Sequence, residues 1–168
     1  NFVMPGDLVN GPATVTIRDG NGTGQTAEVL VDRVAPALFT ANANGLGVPA
    51  ALLIRVGAGG TQSTEPVFQC GATGGSCVPI PIDLGPDTDQ VYLALFGTGI
   101  RNLTQLSDIG MRIGGTLAEV AFAGAQGGFF GLDQINVRVP RSLVGRGNVS
   151  VIFSVAGRSS TPVTINIK

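Results

Sequence analysis

The amino-acid sequence predicts an all-β protein, and three observations carry that prediction. Glycine (26) and proline (10) interrupt the 168 residues at short intervals, and Val, Ile and Thr recur in the runs between them, the composition of many strands joined by turns. The clearest runs alternate apolar and polar residues with period two, so one face of each suits a core and the other suits water. A segment of the sequence also occurs twice, which signals tandem modules, since the repeats of a solenoid are far shorter. About ten strands are expected, in antiparallel sheets packed as sandwiches, with little helix.

Arg18-Asp19-Gly20-Asn21-Gly22 is a turn sequence joining two strands. Val34-Ala-Pro-Ala-Leu-Phe39 is too apolar for a free linker and is expected to pack. Ala50 to Val56 and Val91 to Phe96 are continuous apolar runs, expected as strands buried on both faces, with Tyr92 inside the second. Asn102 to Ser107 is expected to make one helical turn. Gly114-Gly115 turns Met111-Arg-Ile113 into Ala118-Glu-Val-Ala-Phe122. Ile135, Val137 and Val139 share one face of a strand, with Asn136 and Arg138 on the other. Val149, Val151, Phe153 and Val155, and then Val163, Ile165 and Ile167, repeat that alternation across the turn Ala156-Gly-Arg158. Val137, Val139, Val151, Phe153, Ile165 and Ile167 are therefore expected to line one core.

The repeat sets the domain organisation. Asn1-Phe-Val-Met-Pro-Gly-Asp-Leu-Val9 reads against Asn136-Val-Arg-Val-Pro-Arg-Ser-Leu-Val144. After a one-residue gap Val15-Thr-Ile17 falls on Val149-Ser-Val151, and Glu28 to Val31 corresponds to Val163 to Ile167. Residues 1–34 then form a partial sandwich module made of the C-terminal strands of a repeat. Residues 35–168 form a complete module, with an insertion at about 61–89. The first copy lacks the strands that flank the second, so Phe2, Met4, Val15, Ile17, Val29 and Val31 are expected to form a half-sandwich with an open edge and an apolar groove. Two completions stay open: strands supplied in trans, or strands lying upstream on one continuous chain. Asn1, without an initiator Met and inside a strand-like pattern, reads as a processed or truncated start.

Composition excludes several functions. The net charge is −1 and the basic residues are scattered, so no row of phosphates would be neutralised and nucleic acid is not an expected partner. Every apolar run is broken well before the ~20 residues of a membrane helix, so no membrane span is expected. There is no His, which removes Ser-His-Asp and Cys-His catalysis and histidine metal sites. The only Lys is Lys168, so no Ser-Lys pair suggests itself either, and no enzyme activity or cofactor is expected. Cys70 and Cys77, in a Gly-rich segment, are expected to form a disulfide, because two Cys without His cannot complete a zinc site. A disulfide points to an oxidising compartment, outside the cell or on its surface.

Three further groups of residues suggest binding. Asp83, Asp87 and Asp89 could offer oxygens to calcium, but their spacing matches no EF-hand loop and turn-forming acids explain them as well. Sugar faces are usually met by Trp or Tyr, and the chain has no Trp and only Tyr92. Phe129 and Phe130, flanked by glycines, are an adjacent aromatic pair that either caps the sandwich or contacts protein. Phe2, Met4, Phe129 and Phe130 are the candidate interaction residues.

Several short motifs occur in a characteristic order: Ala35-Pro-Ala-Leu-Phe39, Phe96-Gly-Thr-Gly-Ile100, Ile113-Gly-Gly115, Ala118-Glu-Val120 with Ala123-Gly124, and Gly131-Leu-Asp-Gln-Ile-Asn-Val-Arg-Val-Pro140. Together they resemble the Solibacter-type C-terminal domain, an uncharacterised family found at the ends of large exported acidobacterial proteins. The resemblance covers most of the chain. It implies export, immunoglobulin-like β-structure and a place in modular surface proteins, and it carries over no catalytic residue. The chain departs from the pattern in the extended segment from Thr61 to Asp89, which bears both Cys, and in the absence of strands before Asn1. The combined expectation is tandem immunoglobulin-like β-sandwich modules, the first one incomplete. Such a chain would be a non-catalytic structural or adhesive module of an exported surface protein. It would assemble with copies of itself, or with other parts of its precursor, through strand and apolar contacts into a filament or surface layer. The alternative is a carbohydrate- or calcium-binding module of a secreted protein.

Overall fold

A computed structural model describes residues 3–72 and 76–168. The chain is all-β. Its strands are β1 (Gly11–Arg18), β2 (Gly24–Val31), β3 (Ala37–Leu38), β4 (Ala51–Val56), β5 (Gln62–Pro66), β6 (Phe68–Cys70), β7 (Cys77–Pro79), β8 (Pro81–Ile82), β9 (Gln90–Thr98), β10 (Ile109–Ile113), β11 (Thr116–Leu117), β12 (Val120–Ala125), β13 (Asp133–Arg138), β14 (Gly147–Val155), β15 (Arg158–Ser159) and β16 (Val163–Ile167). Two 3-10 turns complete it, at Leu106–Asp108 and Arg141–Leu143. The excess over ten strands consists of two- and three-residue pieces too short to show a period.

Two large sheets enclose one core. In the first the order is β12-β13-β9-β4-β5, with β3 added beside β9. In the second it is β11-β10-β14-β16-β8, with β15 beside β14. Leu53, Leu93, Leu95, Ile135 and Val137 enter the core from the first sheet, and Met111, Ile113, Val151, Phe153, Ile165 and Ile167 from the second. All six residues expected to face inward are buried, and Arg138 is exposed on the far side of its strand. Register is set this firmly because a one-residue slip would turn every apolar side chain of a strand outward.

Four expectations need correcting. First, β4 is not buried on both faces: Leu52 is 42% exposed, because no further layer of the described residues covers the outer face of its sheet. Tyr92 lies half-buried on that same outer face of β9, bonding through its hydroxyl to Gln90 Oε1 at 2.7 Å, and is not part of the core. Second, Gly114-Gly115 turns β10 only into the two-residue β11. Ala118 N–H still bonds to Met111 O at 2.9 Å, but Glu119 O already accepts from Arg138 N–H at 2.8 Å, so the chain crosses there to the other sheet. Third, the helical turn falls at Leu106–Asp108, at the end of the predicted segment. Fourth, in the repeat β1 is shifted by two residues from the alignment the sequence suggests, while Val31 still falls on Ile167. The ladder of β1 and β2 pairs Gly11 with Val31, Ala13 with Val29 and Val15 with Ala27. That of β14 and β16 pairs Gly147 with Ile167, Val149 with Ile165 and Val151 with Val163. One constant shift therefore superimposes the two hairpins, with Val15 on Val151 and not on Val149. An even shift leaves the same residues on the same face, which is why alternation alone could not detect it.

The segment from Thr61 to Asp89 is woven into the sandwich. β5 extends the first sheet, and β8 pairs in parallel with β16 in the second. Of its described residues, the small β6-β7 pair stands apart from both sheets, as β1-β2 does elsewhere in the chain.

Candidate interaction surface

The site begins with the hairpin β1-β2. Asp19 Oδ1 accepts the N–H groups of Asn21 and Thr23, both at 2.9 Å, and so closes the turn. Ala13, Val15, Ile17, Ala27, Val29 and Val31 share one face of the ribbon, with Thr14, Thr16, Thr26 and Glu28 on the other. Among the described residues no second sheet covers that apolar face. Ile17 is 62% exposed, whereas its counterpart in the second hairpin, Phe153, is 1% exposed. Val3, Met4 and Leu8 lie beside the face, and together they line a groove of about 730 Å³ bordered by Arg33, Arg101 and Asn102.

A latch holds the base of this hairpin to the sandwich. Ala35 N–H bonds to Gly99 O and Phe39 N–H to Phe96 O, each at 2.9 Å, and β3 pairs with β9 between them. The linker comes so close that a Cβ at Gly97 would lie 2.3 Å from Ala37 O, and one at Gly99, where φ is +81°, 2.0 Å from Ala35 O. Only glycine fits either position. Asp133, fully buried, accepts Ile100 N–H at 3.0 Å and the Arg101 guanidinium at 2.7 and 2.9 Å, which fixes the loop after β9. Arg33 bonds to Asn102 O at 3.1 Å and to the Thr104 hydroxyl, and Asp32 pairs with Arg158. The segments Ala35–Phe39, Phe96–Ile100 and Gly131–Pro140, scattered in sequence, thus meet at one joint.

The N-terminal segment rests on the turn between β12 and β13: a Cβ at Gly131 would be 3.2 Å from Val3 Cγ2. Phe129 and Phe130 sit on that turn, 72% and 100% exposed. The structure thereby places Met4 and the Phe129–Phe130 pair at the same end of the sandwich. Phe2 lies outside the described residues. A second apolar surface escaped the sequence reading. Phe39, Leu52 and Phe122 are exposed, and Leu52 and Phe122 lie on the outer face of the first sheet, in the row that runs through Asn136 and Ala94. The polar partners alternating with Leu53 would have been the signal, but β4 has an apolar residue at both phases.

The three acids do not converge. Asp83 pairs with Lys168 at 3.2 Å, Asp87 with Arg141 at 3.0 Å and Asp89 with Arg55 at 3.5 Å. Among the described residues no three acidic or thiol side chains are grouped to hold a metal ion. The Gly85 N–H, and secondarily Lys168, hold the Asp83 carboxyl below its usual range. Such a group stabilises the fold above its unfolded pKa and loses that contribution as pH falls through its lower folded value. Because Asp83 is well exposed, Asp83→Asn should leave thermal melting at pH 7 nearly unchanged and slightly flatten its decline below pH 4.

Cys70 and Cys77 form the expected disulfide, with S–S 2.03 Å, across the β6-β7 pair. Asn42 clips that hairpin to the body: its Oδ1 accepts Cys77 N–H at 2.6 Å, and its Nδ2 donates to Cys77 O at 3.4 Å. With a separation of 7 residues the bond closes a short loop, so its removal should lower stability by at most ~2.5 kcal/mol on the chain-entropy scale. Melting of the Cys70→Ala/Cys77→Ala double variant checks this, and the sandwich signal should survive.

The chain matches no family model, no curated protein and no solved structure.

Proposed function

We propose that this chain is a non-catalytic structural or adhesive module of an exported surface protein, and that it builds larger assemblies through β-sheet contacts. One observation carries the reading: a well-packed sandwich holds, through a hydrogen-bonded latch, a second hairpin whose apolar face is only half-buried and, among the described residues, covered by no sheet. Soluble monomers rarely leave such faces uncovered, and open strands beside them are templates for pairing. Support also comes from the resemblance to the Solibacter-type C-terminal domains, since three of the five segments that carry it build the joint. The disulfide is compatible with an extracellular or cell-surface setting. No helix among the described residues is long and apolar enough to cross a membrane. The calcium alternative loses its donor set, since each acid already faces its own cation.

Sedimentation velocity across a hundredfold concentration range, with electron microscopy of the concentrated sample, tests the reading. Growing assemblies are expected. A species that remains monomeric throughout overturns self-assembly, and melting raised by millimolar calcium would favour the alternative.

A further inference from the structure

We infer that the open face of β1-β2 is the binding surface for the body of a second sandwich of this chain's own build, which it completes as β14-β16 completes the first. The inference rests on the structural reading above and names the partner for its exposed surface. Its basis is the shared ladder. At one constant shift Ala13, Val15, Ile17, Ala27, Val29 and Val31 coincide with Val149, Val151, Phe153, Val163, Ile165 and Ile167, and all of the latter are buried. The likeness extends to the approach once one extra residue is allowed ahead of β14: Met4 and Leu8, exposed, match Val139 and Leu143, both buried.

What buries the second hairpin is therefore a template for what should bury the first. Over the face of β14-β16 lies the sheet β12-β13-β9-β4-β5, presenting Leu53, Leu93, Leu95, Ile135 and Val137. On the outer edge of β14, β10 pairs antiparallel along Val151–Val155, and on the outer edge of β16, β8 pairs in parallel at Asn166 and Ile167. Transferred to the first hairpin, these positions are Val15 to Asp19 on β1 and Leu30 to Val31 on β2. Both of those edges are unpaired among the described residues. The partner must thus bring an apolar sheet, one antiparallel strand and one parallel strand. Ala13, Ile17 and Ala27 are smaller than Val149, Phe153 and Val163, so the sheet must settle closer to this hairpin than it does to β14-β16. Phe129 and Phe130, exposed at the same end, extend the surface that such a body would meet.

The test supplies a body of known sequence: residues 35–135 of this chain fused directly ahead of the full 168-residue chain, which puts Asn1 in the place of Asn136 and the hairpin one residue nearer than β14-β16. Hydrogen exchange is read at the amides of β1 and β2, with β14 and β16 as the internal standard. In the unfused chain the outward amides of Val15 to Asp19 should exchange freely. In the fusion they should slow by roughly a hundredfold or more, toward the standard. Adding Val15→Asp should abolish that protection and leave β14 and β16 unchanged. Three results overturn the inference: no protection in the fusion, protection that survives Val15→Asp, or protection that requires Ala13→Val, Ile17→Phe and Ala27→Val together, since the natural hairpin would then not fit such a body. Sedimentation of both proteins separates this from the broader reading. A fusion protected as expected, beside a 168-residue chain that never associates, upholds the partner and removes self-assembly.

Discussion

Phe153→Ala is expected to destabilise the protein by about 3–5 kcal/mol. Phe153 lies in the middle of β14, opposite Met111 on β10, and is among the largest side chains buried completely. Its backbone is held from the other side as well, where Ser160 N–H bonds to Phe153 O at 2.8 Å, so the chain cannot collapse into the vacated space. A protein of this size should lose roughly 10 °C or more of its melting temperature. Arg138→Ala is the matched control. Its ion pair with Glu119, at 3.9 Å, joins two exposed side chains, and melting should shift by no more than the ±0.5 kcal/mol typical of surface positions. Equal shifts for the two variants would mean that the strand register is wrong.

Gly99→Ala is the second large effect. The new methyl would meet the carbonyl oxygen of Ala35 at 2.0 Å, in a left-handed backbone conformation that by itself costs ~1–2 kcal/mol for a non-glycine residue. The linker would have to lift off β9, giving up the bond from Ala35 N–H to Gly99 O and the β3 pairing, each backbone bond being worth ~1 kcal/mol net. A loss of roughly 3 kcal/mol is expected, with fast exchange at the Ala35 and Phe39 amides while β14 and β16 stay protected. Gly115→Ala separates the causes. Gly115 has the same φ of +81° but nothing within 4 Å of the added carbon, so only the conformational strain should appear. If both substitutions cost the same, the close approach of linker and strand contributes nothing.

Alternation made much of the sandwich readable. Where each core residue has a polar neighbour, as in Ile135-Asn136-Val137-Arg138-Val139, the pattern names the buried face outright, and every such strand has the expected register. The pattern failed where both phases are apolar. In Ala51-Leu52-Leu53-Ile54 nothing local distinguishes the residue under the opposite sheet from its exposed neighbour. Asp83, Asp87 and Asp89 are close in sequence, yet the cations that separate them come from Arg55, Arg141 and Lys168, brought in by three other strands or turns.

The sequence alone determined the all-β class, the positions of the main strands, the inward residues of β13, β14 and β16, the disulfide and the existence of a repeat. These are local properties: a two-residue period, a turn dipeptide, two thiols within reach. The tertiary structure alone decided which sheet each strand joins, that Gly97 and Gly99 are demanded by the linker lying across them, that the repeat aligns through Val15 and Val151, and that Met4 and Phe129–Phe130 share one end. Each of these depends on contacts between residues far apart in the chain, made when two sheets bury their faces against each other, and no local pattern encodes which distant face that will be.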